Sequence, residues 1–89
     1  MWFVYILRCR DGTFYTGITT DVEQRVKTHR SGKGSKYVAA RGVDKILYTL
    51  RVESKQEAAR IEYAVKQLEK FDKLIFFREH SHLEYSAFD

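Results

Sequence analysis

Arg25 and His29 are residues of this 89-residue chain whose types and spacing could do chemistry together. With Val22 and Val26 they fall at i, i+3, i+4 and i+7, one face of a helix. The valines should turn that face toward a core, where long polar side chains are costly unless paired. Either the guanidinium and the imidazole share the inward-leaning side, or both sit at the stripe's edge and reach out to water. His29 is of the one type that titrates near neutrality unaided. Glu62 poses the same question on a later helix, one residue after Ile61 and three before Val65. Lys66 could satisfy it as an i,i+4 pair worth about 0.2–0.5 kcal/mol. A metal-holding role competes only if Glu62 meets both Arg25 and the N-terminal hairpin in space.

Those helices need a frame. Residues 2–9 and 13–19 are rich in aromatic and β-branched types and read as two strands, with Asp11-Gly12 as the turn of a hairpin. Thr20-Asp21-Val22-Glu23 has the form of a capping box and starts a helix to about Arg30. Ser31 to Ser35 is a loop, Lys36 to Arg41 could be one helical turn, and 45–52 is a third strand. Ser54-Lys55-Gln56-Glu57 opens a helix to about Glu69, with Ala58, Ile61, Val65 and Leu68 as its apolar stripe. Residues 71–78 fit a short helix, although Leu74-Ile75-Phe76-Phe77 could equally be strand. The order implies an α/β (α+β) domain: a small three-stranded antiparallel sheet flanked by helices.

The hairpin carries Tyr5 and Tyr15, and its turn decides whether they meet. A two-residue loop pairs Tyr5 with Ile18 and sends the phenols to opposite faces. A three-residue loop with Gly12 left-handed pairs Tyr5 with Gly17 and lines them up on one side. Gly17 would then leave room beside the Tyr5 ring.

The net charge of +4 is unevenly spread. Residues 1–51 hold ten Lys/Arg against four Asp/Glu, a net of +6, while 52–89 come to −2. Arg25 to Arg41 contains six basic residues and no acidic one. Such a block attracts phosphate, or it is a solvated face. One cysteine, Cys9, allows no internal disulfide and suits a reducing, cytoplasmic compartment. The longest apolar run, Trp2 to Leu7, is far short of a membrane span and lacks the flanks of a signal peptide. Glu79, His80, His82 and Glu84 near the C-terminus are a weak pattern for a metal site.

Phe3-Val4-Tyr5, followed ten residues after its tyrosine by Tyr15-Thr16-Gly17, resembles the two tripeptides that name the GIY-YIG nuclease family. Arg25, His29 and Glu62 fall where that pattern expects them. Phe14 to Thr19 with Gly32-Lys33-Gly34-Ser35-Lys36-Tyr37 looks most like the small stand-alone bacterial members. The first tripeptide keeps only its Tyr and the second its Tyr and Gly, and the chain has no Asn for the last helix, where many family nucleases carry one. The resemblance covers about residues 2 to 78, so 1–78 is expected to be a GIY-YIG nuclease-like domain and 79–89 a C-terminal tail.

The resemblance implies a metal-dependent endonuclease hydrolysing DNA phosphodiester bonds, structure-selective cutting in repair or recombination being one role open to it. Glu62 would hold one divalent ion, Mg²⁺ or Mn²⁺, and Arg25 would neutralise the scissile phosphate. Tyr5 is favoured as base, with Tyr15 and His29 as participants. Gly17, Lys33, Lys36 and Arg41 would contact nucleic acid. Tyr37 could stack on a base, although a packed aromatic suits it better. DNA is the expected partner, with no organic cofactor and no membrane. The alternatives are a nucleic-acid-binding module without turnover and a protein-interaction domain.

Overall fold

The computed structural model describes residues 1–80, and no helix among them is long and apolar enough to cross a membrane. The chain runs β1 (Trp2–Cys9), β2 (Phe14–Thr19), α1 (Val22–Arg30), α2 (Lys36–Arg41), β3 (Val43–Val52), α3 (Lys55–Lys66) and α4 (Lys70–His80). The strands form one antiparallel sheet in the order β2-β1-β3, so the apolar opening run is the central strand.

Side chains alternate across that strand, and each face has its own core. Tyr5, Leu7 and Cys9 pack with Val22 and Val26 of α1 and Val38 of α2. Val4 and Ile6 pack on the opposite face with Ala58 and Val65 of α3 and Phe77 of α4. The sheet is therefore covered on both sides, with the two short helices over Tyr5 and the two long ones behind it.

Helix boundaries depart from expectation at the start of α1 and the end of α3, and α4 extends past the expected 71–78 at both ends. Asp21, not Thr20, caps α1, its carboxylate accepting from the Gln24 amide at 3.0 Å. The Thr19 hydroxyl helps hold the Asp21 backbone, accepting from its amide at 3.0 Å. The α3 helix ends at Lys66, with the Gln67 amide on the Ala64 carbonyl at 3.2 Å, so Leu68 lies beyond the stripe. Its start is as read: Ser54 accepts from the Glu57 amide at 3.1 Å. The final segment is helix, because Leu74 and Phe77, three apart, turn inward while Phe71 and Ile75 stay exposed. The third strand starts two residues earlier than expected, because Val43 pairs with Cys9.

Candidate active site

The hairpin register decides the site. Tyr5 lies opposite Gly17 and Leu7 opposite Tyr15, which is the three-residue-loop alternative. The Cys9 amide donates to the Thr13 carbonyl at 2.8 Å, and Gly12 sits at φ 85°, a conformation that only glycine adopts cheaply. Both phenols consequently share the α1 side of the sheet, their ring centroids 6.3 Å apart. Gly17 supplies the room: a Cβ there would lie 2.6 Å from Cζ of Tyr5 and overlap its hydroxyl as well. This glycine is buried, so any contribution it makes to a nucleic-acid contact runs through the ring it seats.

Against that ring stands His29. It is 2% exposed, in the last turn of α1, because Val22 and Val26 bring the helix face down on the sheet. Its Nε2 is 2.8 Å from the hydroxyl of Tyr5, itself 1% exposed. Tyr15 closes the group edge-on, 5.4 Å from the imidazole. The inward alternative therefore holds for His29, while Arg25, half-buried one turn earlier, has no carboxylate partner among the described residues.

Electrostatics tie Arg25 and Glu62 to the same phenol. Burial pushes the Tyr5 hydroxyl well above its ordinary value, and the Tyr15 charge adds to that. Arg25 opposes it by charge and by hydrogen bonding, and the negative charge of Glu62 reinforces the rise. Burial, then Arg25, lowers the pKa of His29. At neutral pH the pair is thus uncharged. If the neutral phenol donates to Nε2, the imidazole proton sits on Nδ1. Nδ1 is buried without a hydrogen-bond partner among the described residues.

Glu62 projects from α3, which packs behind β1 and the edge strand β2. Its side chain is 23% exposed, and Oε2 meets Lys66 at 3.4 Å, the i,i+4 pair read from the sequence. That contact leaves Oε1 for a second cation. A single carboxylate fits Mg²⁺, which keeps several waters and takes further oxygens from a phosphate. Among the described residues no group of three or more His, Cys, Asp or Glu converges on a metal position. Of the C-terminal pattern, His80 stacks on Phe76 and Nδ1 lies 2.8 Å from the Phe76 carbonyl, while His82 and Glu84 fall outside the described residues.

The basic residues divide. Lys33 and Lys36 are exposed, without an ion-pair partner among the described residues, and Lys36 borders a cavity of about 250 Å³ with Gly32, Gly34, Ser35 and Ala39. Arg41 is engaged. Its guanidinium lies 3.7 Å from the Tyr37 ring centroid, Nη1 donates to the Tyr37 carbonyl at 3.1 Å, and Nε sits 3.3 Å from an Asp11 oxygen. The last contact is an ion pair without hydrogen-bond alignment, since Nε has no hydrogen-bond partner among the described residues. Tyr37 in turn lies 6.0 Å from Tyr15 with the Arg41 guanidinium over its ring, and the side chain is otherwise exposed. Sequence reasoning missed Asp11, whose only signal was its place beside the turn.

A family profile described as the GIY-YIG catalytic domain matches residues 1–75. A UPF0213 protein of Streptococcus agalactiae is 49% identical over 78 residues, 88% of this chain and 89% of that protein. A UPF0213 protein of Halobacterium salinarum is 46% identical over 77 residues, 86% of this chain and 100% of that one. The solution NMR structure of a UPF0213 protein from Bacillus halodurans matches with a TM-score of 0.56 at 46% identity, over 92% of this chain and 88% of the other.

Proposed function

Because this chain belongs to the GIY-YIG catalytic domain family, we propose that it is a nuclease that hydrolyses phosphodiester bonds in DNA. The observation that carries the reading is the buried Tyr5–His29 hydrogen bond beside an Arg25 that lacks a carboxylate partner among the described residues.

Arg25 binds the scissile phosphate and neutralises its charge. Tyr5 alone is a poor base: a phenolate costs about 4 kcal/mol at neutral pH even at an ordinary pKa of about 10, and burial raises that cost. The 2.8 Å contact offers another route. As the attacking water gives a proton to the Tyr5 oxygen, the phenol passes its own to Nε2 of His29, and no free phenolate forms. Substrate assists, because a phosphate on Arg25 offsets one of the charges that depress His29. Tyr15 packs edge-on against the imidazole and holds its plane.

Glu62 would hold the divalent ion, Mg²⁺ or Mn²⁺, which when bound supplies positive charge against the phosphate and the leaving oxygen. Lys33 and Lys36 would contact flanking phosphates, drawing affinity from counterion release. Substrates with exposed backbone, such as nicked, branched or single-stranded DNA, suit an exposed basic loop, and a role in repair or recombination follows from such selectivity.

The raised Tyr5 pKa favours one competing reading, a module that binds nucleic acid without turnover. Cleavage of branched, nicked, single-stranded and duplex DNA in Mn²⁺ separates the two. The nuclease reading expects cutting by wild type and none by Glu62→Gln; salt-sensitive binding without cutting supports the module, and equal cutting by both proteins refutes the assignment of Glu62.

A further inference from the structure

We infer that a second phosphate subsite, away from the reacting bond, lies in the cavity of about 270 Å³ lined by Arg10, Arg30, Gly42 and Val43. It takes a backbone phosphate of the nucleic acid, and in that respect it rests on the reading above.

The cavity is built, not incidental. Arg10 follows β1, and its amide donates to the Gly42 carbonyl at 3.0 Å. Its stem lies across Gly42, where a Cβ would come within 2.9 Å of the Arg10 Cδ; Gly42 is also at φ 79°, the left-handed region that ends α2. That glycine therefore serves both the helix end and the seating of the arginine. The Arg10 Nε reaches the Val43 carbonyl at 3.4 Å, and the Arg30 Nη2 donates to the next carbonyl, Asp44, at 3.2 Å. Two guanidinium groups are thus anchored on consecutive carbonyls at the start of β3. A guanidinium fixed in advance loses less freedom on binding, and its planar fork matches phosphate oxygens.

Charge points the same way. Asp44 is bound by Arg8 at 2.6 Å and Asp11 by Arg41 at 3.3 Å, so the nearby carboxylates are occupied. Arg10 has no ion-pair partner among the described residues. Val43 is the one apolar side chain in the lining, which suits an anion and not an apolar ligand. Arg10 lies five residues along the chain from Tyr5, about 17 Å if the strand is fully extended, while Arg30 directly follows His29 on α1 but is exposed and donates to the Asp44 carbonyl. Contacts here would add affinity without touching the reacting bond.

The test is duplex binding by fluorescence anisotropy across a salt series, without divalent ions, with inorganic phosphate titrated separately. Arg10→Gln should weaken binding several-fold and flatten the slope of log K against log salt by about 0.9, the value of one phosphate contact. Arg10→Lys should restore the slope, since it keeps the charge. Arg60→Gln, an equal charge loss on the far helix, should leave the slope unchanged. Duplex binding by wild type that Arg10→Gln does not alter overturns the subsite and leaves the nuclease reading standing. Wild type without DNA binding overturns both. Arg10-dependent uptake of inorganic phosphate with an unchanged DNA slope overturns nucleic acid as the source.

Discussion

The hydroxyl of Tyr5 lies 2.8 Å from Nε2 of His29, with both side chains almost wholly withdrawn from water. Each would have a free-solution pKa on opposite sides of neutrality, and burial drives them further apart: the phenol up, the imidazole down. The result is a neutral pair with one mobile proton between two heteroatoms, held by a strand and a helix instead of by loops.

His29→Gln should lower cleavage by about 10²–10⁴-fold, the usual worth of a positioned acid–base group, with the fold checked by thermal unfolding. The acid limb of the wild-type rate profile should lie below about pH 6.5, because burial and Arg25 depress the imidazole. Arg25→Gln removes one of those causes, so the Hε1 NMR titration of His29 should move upward. A downward move would contradict the placement of Arg25. Stability follows the same sign. The unfolded histidine binds its proton at a higher pH than the folded one. The contribution is therefore complete above about 6.5 and is lost as pH falls through that value toward the depressed folded pKa.

Gly17→Ala should destabilise the fold by about 1–3 kcal/mol, the cost of overpacking a filled core, because the new Cβ meets the Tyr5 ring at 2.6 Å. In a Tyr5→Leu background the collision partner is gone, and the same substitution should cost clearly less. Denaturant unfolding of the four proteins gives the coupling. Additive costs would mean that Gly17 is required for something other than seating the ring.

Much of this frame was legible in the residues. Alternation and capping chemistry marked the strands and the start of α3, and the valines at i and i+4 turned His29 inward. Two registers were open, and the left-handed Gly12 selects the one that brings Tyr5 and Tyr15 together. The end of α3 at Lys66 carries no Gly or Pro to announce it. The capture of Arg41 by Asp11, thirty positions apart, is a tertiary contact that no local pattern encodes.

Arg41 was expected to touch nucleic acid, and its surroundings argue for another part. Asp11 at the hairpin turn, Arg41, Tyr37 and Tyr15 form a continuous chain of contacts ending beside His29. Arg41→Gln should therefore leave the salt slope of DNA binding unchanged while lowering turnover, and Asp11→Asn should mimic it. A slope flattened by about 0.9 would instead identify Arg41 as a phosphate contact.

Lys66 competes for the carboxylate assigned to the metal. Its ammonium sits 3.4 Å from Oε2 of Glu62, half exposed, so the pair itself is worth only about 0.2–0.5 kcal/mol. A divalent ion arriving at Glu62 meets that ammonium as a like charge a few ångströms away. At the water-like dielectric of an exposed pair, such a repulsion is on the order of 1–2 kcal/mol. Lys66→Gln should hence tighten Mn²⁺ binding several-fold at low salt, read directly by water proton relaxation. The gain should shrink as ionic strength rises and the Debye length falls below about 10 Å. The fold should hardly notice, because a surface pair of this size contributes little to stability. Weaker Mn²⁺ binding by Lys66→Gln would mean that the ion is held elsewhere than at Glu62.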